Sequence, residues 1–178
     1  MSRAALADPD PDQAWKALAL VNEWLRHAET KLAATLTASG VGGGVLFNLV
    51  KDEPVNCLMI IAVSLTSVAI LAAGTCAMVG LYPVVRLGRG VEPSVDTANP
   101  LYFGDVAYVY KNDAEGFLAN LRALTMDRED LVRRIAHQVH ANATVAARKY
   151  EWAHRALRML LLSLPLLGAV AVLRSLTS

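Results

Sequence analysis

A chain of 178 residues with 54% hydrophobic side chains and a positive mean hydropathy is more apolar than a soluble domain of this size needs to be. Its 17 basic and 16 acidic residues leave a formal charge of +1. That total says little, because the distribution of charge carries the signal, and nucleic acid is not among the expected partners.

Three charge-free stretches dominate, over 32–50, 57–82 and 159–173. A hydrocarbon core about 30 Å thick is crossed by about 20 helical residues at about 1.5 Å each. The second stretch exceeds that length and the first just reaches it. The third falls short alone, but continues a helix arriving through Arg155 and Arg158, whose side chains can snorkel to the interface.

In chain order, the segment before the first stretch is too long and too acidic at its start for a cleaved signal peptide, so the first stretch is expected to be retained as a span. Asp10-Pro11 is a helix-start signal, a capping side chain followed by proline at the first helical position. Trp15, Leu18, Val21, Leu25, Ala28 and Leu32 then recur at helical spacing. Such a stripe packs against another cytoplasmic helix or lies on a membrane surface. No breaker divides it from the first span, so one long helix is expected. The first span is rich in small residues, and Gly40 and Gly44 form a small-xxx-small pair. The second span repeats the habit with Ser64, Ala69, Ala73, Gly74 and Ala77. Close helix packing explains these residues, and so does a weakly polar seam lining a pore. Cys57 and Cys76 lie too far apart on one helix to pair and are expected to be buried small apolar residues.

Between 83 and 100 glycine and proline make the chain irregular, and the aromatic and β-branched run over 101–110 suggests a short strand or extended segment. Asp113 can cap a short helix reaching about Leu124. Asp127 or a neighbour starts a last helix with no clear breaker before Pro165, and proline at membrane depth is tolerable. Lys and Arg concentrate before the first span and between the second and third, which places the N-terminus and the long connection in the cytoplasm and the C-terminus outside. The expected fold is an all-α integral membrane protein with three transmembrane helices, the first and last extended into the cytoplasm as a stalk. Its parts are a cytoplasmic helix (10–31), a first span (32–50), an external loop (51–56), a second span (57–82), a cytoplasmic helical region (83–156) and a third span (157–173).

Chemistry-bearing residues gather on the last helix. Arg133, His137, His140, Thr144, Arg148, Glu151 and Arg155 share one face, opposite an apolar face of Val132, Ile135, Val139, Ala143, Ala146 and Tyr150. The polar face is either a binding surface for an anion such as a nucleotide phosphate or a solvated, salt-bridged surface. His137 and His140 hold no metal without converging ligands from elsewhere, and no metal or other cofactor is expected. There is no serine elbow and no glycine-rich phosphate loop with Lys-Ser/Thr, which argues against an enzyme. Lys31 stands where the first helix would enter the bilayer, as a snorkelling anchor. Asp105, after two aromatics and a glycine, suits either a base contact or a turn.

Glu29-Thr30-Lys31-Leu32-Ala33 entering a glycine-bearing span, then Phe103-Gly104-Asp105, then Gln138-Val139-His140 followed by Arg148-Lys149-Tyr150, resembles the Pycsar effector transmembrane family. Its members carry an Ala-Asp-Thr-Lys-like entry to the first helix, where this chain has Ala28-Glu29-Thr30-Lys31. The resemblance runs from about Trp15 to Leu173. It implies a bacterial antiphage effector that responds to a cyclic pyrimidine nucleotide, cyclic UMP or cyclic CMP, made by a partner cyclase. The response impairs the inner membrane and arrests growth or aborts infection. The chain shows no separate cyclic-nucleotide β-roll, so ligand binding is expected at Arg148, Lys149, His140, His137, Tyr102, Phe103 and Asp105. Gating within a homo-oligomer is expected at Lys31, Gly40, Gly44 and Asn48. The competing expectations are a membrane-anchored scaffold without nucleotide gating and a hydrolytic site built from His137, His140 and Asp105.

Overall fold

The computed structural model describes residues 8–51, 56–83 and 98–177. The expected external loop and the irregular connection after the second span lie mostly outside the described residues. Five helices follow in order: α1 (Pro11–Val50), α2 (Cys57–Leu81), α3 (Phe103–Val109), α4 (Ala114–Met126) and α5 (Arg128–Thr177). No strand occurs among the described residues.

Local chemistry sets the boundaries. Asp10 Oδ1 accepts from the backbone N–H of Asp12 at 2.9 Å and starts α1, which then runs unbroken for 40 residues. Asn56 caps α2 by accepting from Met59 N at 2.8 Å, and Asp113 caps α4 by accepting from Gly116 N at 2.8 Å. Asp127 alone separates α4 from α5. Its N–H closes α4 on the Leu124 carbonyl, and its side chain accepts from Asp130 N at 3.0 Å to open α5. Pro165 sits inside α5 without ending it.

The β-like expectation for 101–110 is overturned, because the segment forms α3. Tyr102 enters in extended geometry, but Tyr102 N donates to the Asn99 carbonyl and Leu101 N donates to Asn99 Oδ1. Asp105 reaches back to accept from Asn99 N at 2.8 Å. These local bonds close a turn that feeds a helix, and an acidic residue in the first helical turn favours it further. Aromatic content alone misled because β-propensity reflects packing surroundings more than backbone preference.

The chain divides into two compact units, 1–24 with 83–145 and 25–82 with 146–178, and α1 and α5 contribute to each. In the first unit, Leu18 of α1, Leu124 of α4, and Leu131 and Ile135 of α5 form the core. The amphipathic stripe therefore packs on neighbouring helices, as one of its two sequence readings holds.

In the second unit, contacts fix the directions of three helices. Leu32 of α1 clusters with Ala77 of α2 and with Ala153 and Ala156 of α5. Further along, Gly42 of α1 lies beside Ile70 of α2, and Leu46 clusters with Met59, Ile70 and Val170. Rising numbers on α1 meet falling numbers on α2 and rising numbers on α5. α1 and α5 are thus parallel, and α2 is antiparallel to both. The hydroxyls of Thr35, Thr37, Ser39, Thr66 and Ser163 all donate to carbonyls of their own helices. Such self-satisfaction lets weakly polar residues sit in an apolar setting and supports their packing role. Cys76 packs on the core, whereas Cys57, expected to be buried, is exposed because it begins α2 at the end of the helix.

All three long helices have the length and composition to cross a membrane. Of the most apolar 18 residues of α2 only 28% are buried. Leu65, Val68 and Leu71 are each more than half exposed, as are Phe47 on α1 and Leu161 on α5. An apolar exterior of this extent has to meet lipid or protein.

Candidate functional site at the α1–α5 contact

Three of the motif strings turn out to be packing partners or local locks. In the second unit Lys149 is buried, and its Nζ donates to Glu29 Oε1 at 2.6 Å. Two residues along α1, the Lys31 ammonium lies over the Tyr150 ring, 5.1 Å from its centroid. The strings Glu29-Thr30-Lys31 and Arg148-Lys149-Tyr150 thus clasp α1 to α5 by two adjacent contacts. Glu29 is about half exposed, so water screens one end of the ion pair while the lysine end is dry. The third string, Phe103-Gly104-Asp105, locks its own turn through the Asp105 bond to Asn99.

The outward face of α5 is the one the periodicity describes. Arg133, His137, His140, Thr144, Arg148, Glu151 and Arg155 are all exposed, and the six residues of the apolar face are buried or half-buried. Its ends are internally compensated. Arg133 binds Asp130, whose hydrogen bond and charge raise the Arg133 pKa above its ordinary value, with Glu129 and Asp127 adding to the effect. Arg155 lies over the Trp152 ring at 4.7 Å and 3.8 Å from Glu151. Between them Arg148, His137 and His140 carry no side-chain hydrogen bond or ion pair among the described residues. His137 and His140 in the first unit, and Arg148 in the second, are each exposed donors of the kind an anion can meet.

Tyr102 and Phe103 stack on each other, with ring centroids 5.0 Å apart. No hydrogen bond joins His137 or His140 to Tyr102, Phe103 or Asp105 among the described residues. Nor, among the described residues, do three His, Cys, Asp or Glu side chains gather as a metal site would require. Gly40 and Gly44 face open space, with nothing within 4 Å of where a Cβ would stand. Asn48 donates to the Gly44 carbonyl at 3.0 Å, while its own carbonyl accepts from Arg174 at 3.2 Å.

Sequence reasoning gave no role to a set of inward polar groups on α5, of which only Gln138 stood in a family string. Arg134 donates to the Ala98 carbonyl at 2.8 Å, and Gln138 donates to Asn142, which donates to Asn22 of α1 at 2.7 Å. Their spacing of four, beside Leu131 and Ile135, was the available signal: polar side chains on an apolar face need partners. Glu29 was visible only as a charge near the first span, because its partner lies 120 positions away.

A groove of about 460 Å³ runs between α1 and α5 beside the clasp. Lys31, Tyr150 and His154 line it, together with Ala34, Ala38 and Leu160.

The family model for the Pycsar effector protein domain matches residues 13–175, nearly the full length of the described helices. The chain belongs to the Pycsar effector family. It is similar to the Pycsar effector protein PtPycTM of Propioniciclava tarda, with 39% identity over 159 residues, covering 89% of this chain and 77% of that protein. No solved structure matches. Membership makes the chain an antiphage defence effector and links it to cyclic nucleotide signalling. The motif residues of this Pycsar effector are therefore located: one set holds α1 against α5, another shapes the turn before α3, and in a third Gln138 bonds Asn142 and Val139 packs on the core while His140 is exposed.

Proposed function

We propose that this Pycsar effector senses cyclic UMP or cyclic CMP on the cytoplasmic side and responds by impairing the inner membrane, without enzymatic chemistry or a cofactor. The carrying observation is the family match over residues 13–175 of a chain with three helices of membrane-crossing length. A cyclase of the same defence system would supply the nucleotide. In the first unit His137 and His140 are exposed donors suited to a phosphate, with Tyr102 and Phe103 as candidate stacking surfaces, and in the second unit Arg148 is a further candidate donor. Lys149 and Asp105, engaged with Glu29 and Asn99, serve as positioning residues. The open face around Gly40 and Gly44 supports close packing between copies in a homo-oligomer.

Nucleotide drives the change only by binding the membrane-disrupting state more tightly than the resting one. α1 and α5, helical across both units, are the elements that would carry the shift. The test is dye release from vesicles containing the purified chain. Release on addition of cyclic UMP or cyclic CMP, and not of cyclic AMP, is expected. Silence with every cyclic nucleotide, together with no binding by calorimetry, would favour a membrane-anchored scaffold instead.

A further inference from the structure

The groove between α1 and α5 is polar at one end and apolar at the other, and the parallel course of the helices makes the gradient common to both walls. On α1 its lining runs from Lys31 to Ala34 and Ala38, and on α5 from Tyr150 and His154 to Leu160. Thr35, also in the wall, is buried and donates its hydroxyl to the Lys31 carbonyl, so the floor offers no free polar group there. From Tyr150 to Leu160 the helical rise is about 15 Å, close to the depth of one leaflet of a hydrocarbon core about 30 Å thick. At the polar end Lys31 is exposed and meets no carboxylate among the described residues, because Glu29 is taken by Lys149. The cation–π contact with Tyr150 holds its ammonium at the mouth.

We infer that this groove binds one anionic phospholipid, its phosphate on Lys31 and His154 and an acyl chain along Ala34, Ala38 and Leu160. The inference rests on the proposed insertion of α1 and α5 in the membrane. Small side chains line the trough, a cation that meets no carboxylate among the described residues stands at its headgroup end, and the volume lies within the usual range of about 300–1,000 Å³ for small-ligand sites. A soluble nucleotide has no use for an apolar floor. A second copy would have to bring a carboxylate to the mouth and an apolar helix to the floor in a single register. Anionic lipid satisfies both ends at once, and basic pockets between helices at a membrane surface are where anionic headgroups gather.

The test is native mass spectrometry of the full chain in detergent, titrated with phosphatidylglycerol or phosphatidylcholine. One phosphatidylglycerol should bind about fivefold more tightly than phosphatidylcholine through Lys31 alone, with His154 adding to the preference. Lys31→Gln, a change at an exposed position, should remove that fivefold part of the preference. Ala38→Phe should block both lipids by filling the trough. If Ala38→Phe lowers the helical circular dichroism signal, Ala34→Leu replaces it. Equal binding of the two lipids, an unchanged preference in Lys31→Gln, or displacement of bound lipid by glycerol phosphate alone overturns the inference. So does a dimer that Ala38→Phe dissociates in the absence of any lipid adduct. A chain that stays soluble without detergent defeats the membrane reading itself, whereas equal lipid binding by a detergent-requiring chain defeats only the lipid site.

Discussion

Replacing Gly80 with alanine puts a methyl carbon where three helices meet. It would lie 2.6 Å from Leu32 Cδ2 and 2.9 Å from Trp152 Cβ. Carbon atoms sit comfortably at about 3.5–4.0 Å, so the contact with Trp152 falls short by more than about half an ångström. Leu32 is fully buried and has no space to rotate into, and a Cβ cannot move without its backbone. α2 must therefore shift away from α1 and α5. Overpacking of this kind costs about 1–3 kcal/mol. The gain from replacing glycine in a helix, at most about 1 kcal/mol, is smaller here because Gly80 is next to the last residue of α2. A net loss of about 1–2 kcal/mol corresponds to a Tm lower by roughly 2–8 °C in a chain of this size. Gly40→Ala and Gly44→Ala are the controls. Nothing within the chain lies within 4 Å of either Cβ position, so in a detergent that disperses the chain to monomers both should hold or raise Tm, with a gain of up to about 1 kcal/mol each. Thermal unfolding of all three variants in one detergent, followed by circular dichroism, decides the matter. A Gly80→Ala protein as stable as the parent, or equal losses from all three changes, would refute the close three-helix approach.

Glu29→Gln should destabilise the chain by about 2–3 kcal/mol, below the full loss for a buried pair because Glu29 is half exposed. The exchange Glu29→Lys with Lys149→Glu should recover part of that loss in denaturation experiments, and no recovery would deny the pairing. Asp105→Ala removes the bond to Asn99 N, worth about 1.5–3 kcal/mol for a charged acceptor. Hydrogen exchange should then quicken over 99–110 and stay unchanged in α2; uniform acceleration would mean that the bond is not a local lock. Arg148→Ala should weaken nucleotide-triggered dye release at least about tenfold, as loss of a charge-assisted contact implies, while leaving the melting curve in place. An unchanged nucleotide response would remove Arg148 from the binding set. Gly44→Leu should suppress leakage while nucleotide binding measured by calorimetry persists, and full leakage would take the Gly40–Gly44 face out of the gating mechanism.

Periodicity and capping are local, which is why the long helices were legible. Asp10, Asp113 and Asp127 cap helices within three residues of themselves, and the buried and exposed faces of α5 follow from a 3.6-residue repeat. The family strings were legible too, as ordered words, but not what each one does. α3 was missed because aromatic residues favour strands only in the surroundings of a sheet, and Asn99 with Asp105 built a turn instead. Likewise, the small-xxx-small pattern of Gly40 and Gly44 identified a packing surface, while the close approach within the chain is made at Gly80.

By itself, then, the amino-acid order determined three helices of membrane length, an amphipathic extension on the first and last, and membership of a defence family. Tertiary structure alone decided that Lys149 faces Glu29 rather than solvent, that Lys31 leans on Tyr150, and that a groove with a polar mouth opens beside them. The physical reason is distance along the chain. A helix repeat is written in neighbouring residues, but an ion pair 120 positions apart exists only once two helices have packed in register.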